Sequence, residues 1–141
     1  MSEEYAAMIS EEDGDFVVNV RDLPEVVTAG ETLADALALA ADAIEVAVAG
    51  RIEDEMDLDE PSAPLPGEHV VSIPARLGAK AAVYRAFRAS GLRKTELASR
   101  MGRNETEVRR ILNPRHGTKL DQLDEAARAL GGRLVIGFTT R

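Results

Sequence analysis

The sequence predicts an α+β chain. A small antiparallel sheet carrying one packed helix comes first, and an all-α unit closed by a terminal β-strand follows. Three observations predict this. Apolar residues alternate with period two near the start and again near residue 70, which is strand spacing. Residues 32–49 repeat with helical spacing. From residue 79 onward, short amphipathic stretches are cut by glycine, the pattern of consecutive short helices.

Tyr5, Ala7 and Ile9 alternate through EYAAMIS, and Phe16, Val18 and Val20 alternate through FVVNV. Between them, Asp13-Gly14 is the dipeptide expected of a two-residue hairpin turn. Val26–Ala29, punctuated by Pro24 and Gly30, makes a third short strand. Leu33, Leu37, Ala40, Ala41, Ile44 and Val48 then form one apolar stripe. Thr32 stands at the N-cap with Asp35 three residues on, and Gly50 is the expected stop. Residues 51–67 hold six acids, three prolines and one glycine, so they read as an acidic Pro-rich loop. HVVSIPAR (69–76) reads as a further strand, with Val71 and Ile73 on one face.

The second half is helical. Ala79–Ser90 places Ala79, Val83, Ala86 and Phe87 on one face and ends at Gly91. Lys94–Met101 stops at Gly102, and Asn104–Leu112 stops before Asn113-Pro114. Thr118 and Asp121 open a last helix burying Leu120, Leu123, Ala127 and Leu130. RLVIGF (133–138) reads as a terminal strand, with Leu134, Ile136 and Phe138 on one face.

Charge divides the chain at the same place as the pattern. The 141 residues carry a formal net charge of −8. Residues 1–75 hold 19 Asp+Glu against Arg21 and Arg51, a charge of −17, whereas residues 76–141 hold 15 Lys+Arg against 6 acids, a charge of +9. Two units are therefore expected, 1–75 acidic and 76–141 basic. Cysteine is absent, so disulfides and thiolate chemistry are excluded. No apolar run approaches the ~20 residues of a membrane-spanning helix, and MSEEYAAMISEEDGD has no signal-peptide pattern. A cytoplasmic protein without a membrane partner is expected.

In the basic half, two short helices meet at Gly102, with Leu97 and Ala98 inward from one and Val108 and Ile111 inward from the other. That is the helix-turn-helix signature. Asn104 caps the second helix and Glu107 completes a capping box. Glu105, Thr106, Arg109 and Arg110 are left outward, in residue types that read base edges. Lys94, Thr95, Arg103, Arg115 and Lys119 flank them and are placed to hold phosphates. The competing reading is a basic bundle face that meets an acidic partner. Residues 79–131 resemble the Xre/Cro-repressor-like helix-turn-helix family, on Leu97-Ala98, Gly102, Val108 and the closing Leu120, Leu123, Ala126-Ala127, Leu130-Gly131. The resemblance makes Asn104–Leu112 the recognition helix. Where that family often has Ser or Thr followed by Gln, this chain has Arg93-Lys94, which moves capping to Thr95. Leu134, Ile136 and Phe138 are the candidates for dimerisation by strand pairing across a two-fold axis, and a homodimer or higher oligomer is expected. A dimer sets two recognition helices about one DNA turn apart, ~34 Å. The alternative is packing within one chain.

The acidic half resembles the HicB antitoxin family of type II toxin–antitoxin systems. The likeness rests on Glu12-Asp13-Gly14, Phe16–Val20, Asp22-Leu23-Pro24, Thr28–Thr32 and the alanine-rich helix, over residues 5–50. It implies a partial RNase H-like fold without nuclease function. It also implies a partner, a small basic HicA-type toxin that cleaves mRNA, and an operator bound by the C-terminal unit to repress the operon. On this reading the acidic side chains Glu12, Asp13, Asp15, Asp22, Glu25, Asp35, Asp42 and Glu45 are the candidates for toxin binding. A −17 surface suits a protein that itself holds RNA.

Two other readings compete. One is a stand-alone helix-turn-helix regulator whose acidic unit senses a ligand or protein. The other is a nuclease using Glu12, Asp13, Asp15, Asp22, Asp35, Asp42 and Glu45 with metal ions, which requires them to converge from several elements. Asp13 and Asp15 are better explained by the hairpin turn, and Asp35, Asp42 and Glu45 by a solvated helix face. His69 and His116 share no motif with a nucleophile. No enzymatic activity, cofactor or metal is expected.

Overall fold

A computed structural model describes residues 3–140; the extreme ends of the two expected units, residues 1–2 and 141, lie outside them. The elements are β1 (Glu4–Glu12), β2 (Asp15–Val20), β3 (Val27–Gly30), α1 (Leu33–Glu53), β4 (His69–Ser72), α2 (Ala75–Ser90), α3 (Lys94–Met101), α4 (Glu105–Leu112) and α5 (Leu120–Ala129). The four strands form one sheet in the order β3-β2-β1-β4, antiparallel throughout. This is the expected α+β class: a sheet with one packed helix, then an all-helical region.

The β1–β2 turn is built as its dipeptide requires. Asp13 and Gly14 both take positive φ, 51° and 85°, the geometry whose twist matches the flanking strands. Ala7 faces Val20 and Ile9 faces Val18 across the ladder. That register turns Tyr5, Ala7, Val18 and Val20 onto the face that α1 covers, and all four are buried. β3 lies one residue later than expected. Gly30 is required there, because a Cβ would lie 2.5 Å from the Ala36 backbone nitrogen. The sheet thus comes into close contact with the start of α1.

Helix α1 begins at the expected cap, where Thr32 accepts from the Asp35 N–H. It runs through Gly50 to Glu53 instead of stopping. Burial of Ala49 and Ile52 outweighs the ~1 kcal/mol that a helical glycine costs. The buried stripe is Ala36, Ala40, Ile44, Val48 and Ile52; Leu33, expected in it, is exposed, and Leu37 and Ala41 are half-buried.

Helix α2 begins at Ala75, four residues earlier than the pattern suggested, with Pro74 as its N-cap. Proline is tolerated where no helical N–H is needed. The helix serves two cores. Leu77, Ala81 and Tyr84 join the core between sheet and α1. Val83 joins the second core with Leu97, Ala98, Val108, Ile111, Leu123 and Ala126. Ala86, expected inward, is exposed.

The expected terminal strand is not formed. Residues 133–138 have no regular structure. A strand needs a ladder partner, and the sheet leaves this segment out. Leu134 instead packs half-buried on the second core, and its N–H donates to Asp124. Ile136 and Phe138 are 66% and 92% exposed.

Candidate nucleic-acid interface

Helices α3 and α4 are joined at Gly102, whose left-handed φ of 65° lets the chain reverse within three residues. Leu97, Ala98, Val108 and Ile111 face inward as the apolar pattern required. Asn104 caps α4 by accepting the Glu107 N–H at 2.9 Å. The Glu107 carboxylate meets the Asn104 side-chain amide at 3.2 Å. Capping of α3 does not move to Thr95. Glu96 accepts from both the backbone N–H and Nε of Arg93, at 3.0 and 3.1 Å. A carboxylate in the first turn favours the positive helix end, and this offsets the missing Ser or Thr.

The outward face of α4 presents Thr106, Arg109 and Arg110, all exposed. Glu105 pairs with Arg109 one turn on, at 2.7 Å. The flanking cations are not equivalent. Thr95 and Lys119 are exposed. Lys94 and Arg115 pair with Glu55 and Glu53, at 3.2 and 2.9 Å. Arg103 is turned sideways and held by Glu125 of α5 at 2.6 Å and Glu107 of α4 at 2.9 Å. Those two carboxylates hold its guanidinium well above its ordinary pKa. Arg103 is thus a strut between α4 and α5.

Lys80 was not singled out by sequence. It is buried on α2, and its ammonium donates to the carbonyls of Arg110, Ile111 and Asn113 and to Thr118 Oγ1, at 2.7–3.1 Å. These carbonyls stand at the C-terminal end of α4, where no further helical turn follows; those of Arg110 and Asn113 also accept the Asn113 and His116 N–H groups. The lysine therefore caps α4 from a neighbouring helix. Desolvation, aided by Arg76, lowers its pKa to about 8. A signal existed: Lys80 stands three residues after Leu77 and four before Tyr84, on the apolar row of α2.

In the acidic half, Glu12, Asp13 and Asp15 gather at the β1–β2 turn and are exposed; Asp35, Asp42 and Glu45 are exposed on α1. Asp22 and Glu25 are committed within the chain. Asp22 accepts from the Ser62 N–H and hydroxyl at 2.8 and 2.9 Å, tying down the acidic loop. Glu25 grips Arg51 with two bonds of 2.7 Å, and that guanidinium lowers its pKa. Among the described residues, no three His, Cys, Asp or Glu side chains are grouped to hold a metal ion. No described helix is long and apolar enough to cross a membrane.

Comparison with known proteins agrees over most of the chain. A family model described as the HicB-like antitoxin of bacterial toxin–antitoxin systems matches residues 4–82. Antitoxin HicB of Escherichia coli K12 is 35% identical over 124 residues, covering 88% of this chain and 90% of that protein. Antitoxin HicB 1 of Photorhabdus laumondii is 37% identical, covering 90% and 81%. Antitoxin HicB of Pseudomonas fluorescens Pf0-1 is 32% identical, covering 94% and 92%. With its α+β architecture, the chain belongs to the HicB family of antitoxins.

Proposed function

We propose that this antitoxin binds and masks a HicA-type mRNA-cleaving toxin through its acidic half. We further infer that its helix-turn-helix binds operator DNA as a homodimer and represses its own operon. The observation that carries this reading is the opposed charge of the halves, −17 and +9. A toxin that grips RNA must present positive charge, and a strongly acidic surface attracts it and excludes phosphates. The exposed Thr106, Arg109 and Arg110 supply side chains able to reach base edges in the major groove.

Exposed Asp42 and Glu45 on α1, with the Glu12–Asp15 turn, are the proposed toxin contacts. Asp22 and Glu25, bonded to Ser62 and Arg51, hold the acidic loop and the end of α1 in place. Ile136 and Phe138 are proposed to pair with their counterparts in a second copy. A small basic protein encoded beside this chain, co-purifying with it and losing RNA cleavage when bound, is the expected outcome of co-expression. Absence of any such complex, with operator binding intact, would favour the stand-alone regulator.

A further inference from the structure

The helix-turn-helix has a negatively charged neighbour built into its own chain. After α1 ends, Glu55 takes a positive φ of 55° and turns the backbone along α2. The next residues are fixed there. The Met56 carbonyl accepts from the Tyr84 hydroxyl at 2.6 Å, and the Leu58 carbonyl accepts from Arg85 Nε at 2.7 Å. Leu58 itself is buried in the first core. Residues 53–59 are therefore anchored by backbone contacts and one apolar side chain, independently of their carboxylates.

Those carboxylates point at cations of the basic half. Glu53 meets Arg115 at 2.9 Å, Glu55 meets Lys94 at 3.2 Å, and Asp57 meets Arg88 at 3.0 Å. Between this segment and the helices lies a cleft of about 980 Å³, which Arg109 of α4 also lines. Lys94 and Arg115 flank the reading face on that side.

We propose that residues 53–59 form an acidic strap that competes with DNA phosphates for the Lys94–Arg115 flank of the helix-turn-helix. The inference rests on the operator-binding reading. Exposed ion pairs are individually weak and screened by salt, so phosphate can displace them.

The test compares the full-length chain with Glu53→Gln/Glu55→Gln, in the wild-type and in a Lys94→Ala/Arg115→Ala background. Binding is read by fluorescence anisotropy on a duplex from the chain's own promoter and on a random-sequence duplex. In the wild-type background the double glutamine variant binds both duplexes about tenfold more tightly near 50 mM salt, and the gain shrinks toward 200 mM. In the Lys94→Ala/Arg115→Ala background the gain falls below about twofold. Binding unchanged by the glutamines, while the wild type still binds in a salt-dependent way, overturns the strap alone. An equal gain in both backgrounds also overturns it, by assigning the effect to net charge. Failure of every variant to bind either duplex overturns the operator reading together with the strap.

Discussion

Lys80 Nζ lies 2.7 Å from Thr118 Oγ1, and these are the two buried polar side chains among the described residues. The contact closes a network in which one ammonium holds the end of α4 and the loop that leads to α5. No carboxylate neutralises it there; the negative end of the helix dipole does that work.

Lys80→Met should therefore cost stability, because three carbonyls and a hydroxyl lose a buried donor. An unfolding free energy lower by roughly 2–4 kcal/mol is expected in urea titration. The pH dependence has a definite sign. The folded pKa is about 8 and the ordinary value is 10.5. Between them the unfolded chain holds a proton that the folded chain has released, so this group makes stability rise with pH. Lys80→Met should remove that rise. A variant as stable as wild type, with the same slope, would remove the cap from the account.

Arg103 ties α4 to α5 through Glu107 and Glu125, and it lowers the Glu125 pKa. A depressed carboxylate stabilises the fold above its unfolded pKa, and that contribution is lost as pH falls through the folded value. Arg103→Ala should lower Tm at pH 7 and weaken the further loss of Tm on acidification. The salt slope of DNA binding should stay at its wild-type value. A slope flatter by about one unit would mean that Arg103 touches phosphate after all.

Arg109 and Lys94 should fail differently. Arg109→Ala is expected to cost ~1–3 kcal/mol of operator affinity and relax one base position. Lys94→Ala should weaken operator and random DNA alike and flatten the salt dependence. Competition binding on a set of single-base operator variants separates the two. Identical behaviour of both variants would contradict the assignment of α4 as the reader.

The exposed tail gives the dimer prediction. Ile136 and Phe138 leave apolar area in water that a two-fold strand pair would cover. Phe138→Asp should shift the light-scattering mass toward monomer and weaken operator binding, because two half-sites then bind separately. A dimer that persists unchanged in Phe138→Asp and in Ile136→Asp would place the interface elsewhere.

Local chemistry made most of the fold readable. Asp13-Gly14, Thr32, Gly102 and Asn104 each specify a turn or cap by their own backbone preferences, and each does so in the structure. The misses came where packing decides. Gly50 continues α1 because Ile52 is buried beyond it, and α2 starts early because Leu77 reaches the first core. The strand at 133–138 had the right alternation but no partner in the single chain. At the site, residue types and helical phase were legible for Arg109 and Arg110. The pairs Arg103–Glu125, Lys94–Glu55 and Arg115–Glu53 were not, because they join residues 22 to 62 positions apart. For Lys80 the place on the apolar row of α2 was legible, but its partners, 30 to 38 positions away, were not.

One chain is proposed to serve two partners through two separate surfaces. The most direct measurement takes Asp42→Lys/Glu45→Lys and Arg109→Ala in the full-length chain. It follows inhibition of the HicA-type toxin's RNA cleavage and operator affinity side by side. The lysine variant should bind the operator but inhibit the toxin poorly. Arg109→Ala should inhibit the toxin fully but bind the operator poorly. If each variant lost both activities to the same degree, or neither lost any, two separate surfaces would be contradicted.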